Sequence, residues 1–229
     1  MTIRRTTRWC CLAAALLCCT GTAAADGDVG FEAGVRTGIG IPLGKVSDPA
    51  ADLNDIASLQ IPLQLDAGVR LFGNWFLGAY FQYGFAFVSD DVAGCDDNAL
   101  IDVDCSASDV RLGIQAHYHF MPRESLDPWI GLGFGYEWAN LSAENDDSNA
   151  EISVTVAGFE FFSLQVGLDV ALSKHVRLGP FLSFSLAQFD DATVDCSGVN
   201  VCNGGIYGDV EDKALHEWLM LGVRLTFGT

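Results

Sequence analysis

Apolar side chains recur at every second position through most of this chain, the period of a half-buried β-strand rather than of a helix. In residues 59–72, Leu59, Ile61, Leu63, Leu65, Ala67, Val69 and Leu71 occupy one face, and Gln60, Gln64, Asp66, Gly68 and Arg70 the other. The alternation returns seven more times. It is marked by Phe31, Val35 and Ile39; by Trp75, Phe81 and Phe87; by Val110, Ile114 and Phe120; by Ile130, Phe134 and Trp138; by Phe162, Leu164 and Val170; by Val176, Leu182 and Leu186; and by Leu219, Val223 and Phe227. Pro62 and Pro180 each forfeit a ladder bond, yet the parity runs on through both, which predicts local distortion rather than a break. The pattern predicts an all-β fold, an eight-stranded antiparallel barrel.

Which face points outward decides the environment. A soluble barrel would clothe its exterior with solvated charge, especially Lys. Here Lys45, Lys174 and Lys213 all lie outside the regular strands, and the non-apolar face is rich in Gly with a few Gln, Arg and carboxylates. That face suits a narrow interior, so the apolar face should meet lipid. Aromatics gather toward strand ends: Phe31, Trp75, Phe120 and Phe227 at one level, Phe87, Trp138 and Phe162 at the other. These are expected to form the two interfacial girdles of a transmembrane barrel. The connections alternate in length. Gly73-Asn74, 121–127 and 173–175 are short and should face the periplasm with both termini; 44–58, 89–108, 139–156 and 189–213 are long and should face outward.

Residues 1–25 read as a Sec-type signal peptide. Arg4, Arg5 and Arg8 supply the basic segment, Cys10 to Cys19 a short apolar core, and Ala23-Ala24-Ala25 a cleavage site, leaving 26–229 as one barrel domain. Removing it leaves 9 bases against 30 acids, a formal charge of −21. That excess argues against nucleic acid as a partner. Four cysteines remain: Cys95, Cys105, Cys196 and Cys202. Export makes disulfides the expectation, and although three pairings are available, two of the long loops each hold a pair of their own, Cys95 with Cys105 and Cys196 with Cys202.

Strand direction places the inward charges. Glu32, Arg70, Asp169, Arg177 and Arg224 should cluster near the periplasmic end of the lumen, and Arg111 should meet Glu137 near the outer end. In so narrow a space these charges are expected to pair into a plug. No catalytic constellation, cofactor motif or metal site is evident: His117 and His119 share a strand face without a third ligand. The stretch 38–45 fails as a phosphate loop, with Ile39 in place of its first glycine and Val46 in place of its Ser or Thr. The long loops hold 19 of the 30 acids. Asp90, Asp91, Asp96, Asp97, Asp102 and Asp104 crowd into one of them, without ordered calcium-loop spacing. Glu160, Gln188 and Glu217 share the parity of the apolar faces. They are expected at a lipid-headgroup rim, where carboxylates could hold lipopolysaccharide phosphates through a divalent cation.

The architecture resembles the small OmpA- and OmpX-type outer-membrane barrels over essentially the whole chain after residue 25. The most specific element is the last strand. There Gly222, Leu225 and Phe227 look like the C-terminal signal read by the outer-membrane assembly machinery, although Met220 stands where a polar residue is usual. The resemblance implies an integral outer-membrane protein, monomeric, in contact with lipid and lipopolysaccharide, with a structural or envelope-integrity role. A loop-borne binding module for an extracellular ligand remains an alternative, with Ile152, Val154 and Val156 extending a strand above the membrane. A small-solute channel and an outer-leaflet lipid-modifying enzyme are further alternatives.

Overall fold

A computed structural model of the chain describes residues 29–47, 51–89, 95, 103–145, 150–197, 206–210 and 213–228. The signal-peptide segment, Cys202 and five of the six aspartates of the 89–108 loop lie outside them.

Eight long strands close into a ring: β1 (Val29–Ser47), β3 (Ala57–Leu71), β4 (Trp75–Val88), β5 (Asp104–His119), β6 (Leu126–Asn145), β7 (Ala150–Ala171), β8 (Val176–Ser197) and β10 (Leu215–Gly228). Each pairs antiparallel with its neighbours, and β10 returns to β1 to shut the barrel, as in Val35↔Leu225. The short elements β2 (Ala51–Asp52), α1 (Leu53–Ile56) and β9 (Ile206–Asp209) belong to the long connections. With closure the sheet has no free edge, and backbone polar groups are satisfied between strands, as a lipid environment demands.

Burial follows the alternation. Outward side chains such as Phe134 and Leu221 are 58 % and 62 % exposed, while inward Gln60, His117 and Glu137 are fully buried. Pro62 pairs with Gly84 and Pro180 with Val223 without a shift of register at either. Trp75, Tyr118 and Phe120 meet edge-on in the aromatic girdle at the short-turn end, and Tyr136, Trp138 and Phe159 form the counterpart toward the long loops.

Two expectations need correction. The connections 139–156 and 189–213 are largely strand, because β6, β7 and β8 run on for 20, 22 and 22 residues, about twice what a membrane crossing requires. The parity of β7 also inverts. Ser163 faces Gly133 and Ser185, but Glu160 faces Gly135 and Ala187, so β7 carries one extra residue at Phe161–Phe162. This β-bulge turns both Phe159 and Phe161 outward and Glu160 inward.

Candidate functional site

The lumen is filled by side chains arranged in tiers. Inward glycines leave room for rings to lie flat against the wall: a Cβ on Gly167 would fall 2.5 Å from Trp129, and one on Gly135 2.6 Å from the Tyr80 hydroxyl. Bulk supplied by one strand is thus accommodated by its absence on another.

At the short-turn end Arg224 bridges two carboxylates, donating to Glu32 at 2.8 Å and to Asp169 at 3.1 Å, and Arg70 also pairs with Glu32. Trp129 donates its indole N–H to Asp169 at 3.1 Å and lies beneath the guanidinium of Arg224. Four of the five charges expected to cluster are therefore brought together. Arg177 stands apart, donating to the turn carbonyls of Pro122 and Glu124 and lying 3.8 Å from Asp127. Asp127 and His119 form a further pair at 2.8 Å that the alternation does not single out.

One tier further in, Arg36 donates to Asp66 and to Gln165, both at 2.6 Å, and its guanidinium lies between Trp129 and Phe181. Both Arg36 and Asp66 stand on the face that the alternation turns inward, but nothing in the pattern predicts that they meet across neighbouring strands. His117 stacks between Phe76 and Trp129 with its Nε2 3.3 Å from Arg36. An imidazole facing a guanidinium is poorly placed to ligate a cation. Among the described residues no group of three or more His, Cys, Asp or Glu is arranged to hold a metal ion.

The tier toward the long loops centres on Arg111. It donates to Asp109 at 3.0 Å, to Glu137 at 3.1 Å and to Ser185 at 3.1 Å, so the expected Arg111–Glu137 pair is present with a second carboxylate. His216 lies 3.1 Å from Glu137, and Trp218 donates its N–H to the same carboxylate. Between this tier and that of Arg36, the Tyr80 hydroxyl donates to Glu160.

Glu160 is only 3 % exposed, so it belongs to the lumen and not to a lipid-headgroup rim. The bulge at Phe161–Phe162 is the physical reason, and two adjacent aromatics are its trace in the sequence. Gln188 and Glu217 keep outward parity and are half-buried, with Leu215 opposite the first and Leu186 opposite the second. A cation bridge built on two rim carboxylates loses one of them. Gly222 has a packing role of its own: a Cβ there would fall 2.1 Å from the Thr37 carbonyl across the β1–β10 seam. Leu225 and Phe227 follow it on the outward face, Phe227 46 % exposed. Cys95 and Cys105 form a disulfide. Cys196 is also disulfide-bonded, and its expected partner Cys202 lies outside the described residues.

Above Arg111 the lining changes. A cavity of about 130 Å³ is bounded by Leu53, Leu141, Val154, Val156, Phe189 and Trp218, with Asp109 at its membrane-ward end. β7 does extend through Ile152, Val154 and Val156, with Val154 and Val156 facing the interior and Ile152 46 % exposed. At the opposite mouth a cavity of about 160 Å³ is lined by Arg70, Arg123, Lys174, His175 and Arg177 together with Glu32.

The family described as outer membrane protein beta-barrel domain matches residues 10–201. No curated protein matches the sequence. Among solved structures, a major outer membrane protein from Thermus thermophilus is similar at TM-score 0.58 and 12 % identity, covering 88 % of this chain and 99 % of that one. Neisserial surface protein A is similar at TM-score 0.42 and 14 % identity, over 86 % and 95 %. Ail of Yersinia pestis is similar at 0.39 and 11 %, over 89 % and 100 %.

Proposed function

The chain belongs to the outer membrane protein beta-barrel domain family, and from that premise we propose that it is a closed, non-conducting barrel with a structural role in the envelope. The observation that carries this reading is the continuity of the plug. From Arg70–Glu32 through Arg224–Asp169 and Arg36–Asp66 to Arg111–Glu137 the ion pairs follow one another along the lumen, and Arg224–Asp169, Arg36–Gln165 and Arg111–Ser185 tie strands that are not neighbours. An ion moving along the axis would have to separate buried, mutually neutralised pairs, and breaking such a pair costs about 3–5 kcal/mol.

In this reading the chain is exported through the Sec pathway with loss of residues 1–25 and is delivered by the outer-membrane assembly machinery. It stands as a monomer in lipid and lipopolysaccharide with its short turns and both termini in the periplasm. Recording from the protein reconstituted in planar bilayers tests the plug. The expected trace is flat, and a large, stable conductance in the wild type overturns the closed-barrel reading.

A further inference from the structure

We propose that the cavity at the short-turn mouth of the lumen is a binding site for a phosphate group, and the surroundings favour the headgroup of an anionic phospholipid as its source. Such a site requires a barrel embedded in lipid; it does not depend on the plug.

Charge leads there first. Of the nine bases after residue 25, Arg70, Arg123, Lys174 and Arg177 line this one cavity of about 160 Å³. The one carboxylate among its described lining residues is Glu32, and both oxygens of that group are taken, Oε1 by Arg224 at 2.8 Å and Oε2 by Arg70 at 2.8 Å. Arg123 and Lys174 stand exposed at the rim, and among the described residues neither side chain has an ion-pair or hydrogen-bond partner. The mouth thus offers two uncommitted cations beside two committed ones. A phosphate has oxygens enough to meet an ammonium and a guanidinium at once, and charge-assisted bonds of this kind are the strong ones.

The turns that carry these cations are also held in place. Arg177 donates to the carbonyl oxygens of Pro122 and Glu124, which pins the turn bearing Arg123 to the strand that follows Lys174. Arg70 donates to the Gly73 carbonyl at 3.2 Å and pins the third turn. The carbonyl of His175 accepts from the Gly228 N–H at 3.0 Å, tying the Lys174 turn to the last strand. All three short turns are therefore fixed around one opening, so little ordering of the backbone is left for a ligand to impose.

The same turns point to lipid. Each carries an exposed apolar residue beside its polar ones: Phe72 is 67 % exposed, Met121 52 % and Leu172 61 %. Apolar anchors next to Arg and Lys mark a segment seated at the level of the headgroups. Basic groups at that level draw anionic lipids. A zwitterionic headgroup brings its own cation and gains less.

The full chain in nanodiscs of equal phosphatidylcholine and phosphatidylglycerol can be released in a mass spectrometer and its retained lipids counted. The wild type should hold one phosphatidylglycerol, preferred over phosphatidylcholine by about tenfold. Arg123→Gln with Lys174→Gln should lose that preference. Lys45→Gln with Lys213→Gln, which removes the same charge at the far end, should keep it. Heat-modifiable gel migration reports that each variant is folded. Calorimetric titration of inorganic phosphate into the protein in discs of phosphatidylcholine alone separates the two sources. Saturation at one site, lost in the Arg123 and Lys174 double variant, supports a site open to soluble phosphate; lipid preference without such saturation supports one that takes phosphate from the bilayer only. Absence of both, or a preference that survives Arg123→Gln with Lys174→Gln, overturns the proposal.

Discussion

Two stretches of the β6–β7 hairpin obey opposite rules. Where Ile130, Leu132 and Phe134 pair with Val166, Leu164 and their neighbours, apolar groups point out and Gln165, Ser163 and Asp169 point in. Ten residues further along, Leu141 and Val154 point in and line a cavity, while Asn140, Ser142, Ser153 and Thr155 point out and hydrogen-bond to one another. The changeover falls at Tyr136, Trp138 and Phe159, whose rings pack together on the outer face. The lower stretch has the organisation of a barrel dissolved in lipid and the upper one that of a barrel dissolved in water. The solvent outside decides which face is apolar, and one bulge in β7 lets a single strand serve both.

The largest expected effect lies in the lower stretch. Arg36→Met should strand Asp66 in the lumen and reduce stability by about 3–5 kcal/mol in urea titrations of the lipid-embedded protein. Arg36→Met combined with Asp66→Leu should recover most of that loss. A single variant as stable as the wild type would show the lower lumen to be wet rather than plugged. Next in size, Tyr80→Phe removes the donor to Glu160 just below the changeover and should cost about 1.5–3 kcal/mol by the same titration.

A steric pair sharpens the contrast. A Cβ on Gly78 would fall 2.5 Å from both the Ala67 carbonyl and the Phe76 ring. Gly78→Ala should therefore destabilise by about 1–3 kcal/mol, whereas Ala139→Val, pointing into the upper cavity, should stay within about 0.5 kcal/mol of wild type. Equal losses would mean that the two levels are packed alike. The smallest effect belongs to the partly exposed Lys213–Asp190 pair at 2.8 Å: Lys213→Ala should change stability by less than about 1 kcal/mol, and less still in high salt.

The eight strands and the inward set of charges are legible because lipid imposes a strict two-residue period on every crossing. Pro62 and Pro180 do not disturb the reading, since a missing ladder bond leaves side-chain parity intact. Glu160 is misplaced by the pattern because an inserted residue changes parity without changing composition. The adjacent Phe161 and Phe162 could flag it, but two aromatics together also suit a girdle. The Arg36–Asp66 contact depends on rotamers and register between neighbouring strands, which alternation does not encode; Asp109 and Arg111 stand two apart on one face of β5, but alternation does not say which partner Arg111 takes. The cavity is hidden for a related reason: Leu141, Val154 and Val156 are apolar residues like those facing lipid, and only knowing where the membrane ends distinguishes them.

The Arg224–Glu32 contact joins residues 192 apart, the last strand to the first. Such a contact says nothing while the sheet is open and exists only once the ring is complete, so it reports on the order of folding. Closing a loop of that length is an entropic burden that local hairpins such as β3–β4 do not share. The β1–β10 seam is thus expected to zip last, with Gly38 and Gly222 letting the two backbones approach and Arg224 acting as the latch. Substitutions at Arg224 should then reveal themselves first as slower completion of the compact, heat-modifiable form in refolding time courses, while hairpin formation proceeds at its usual pace.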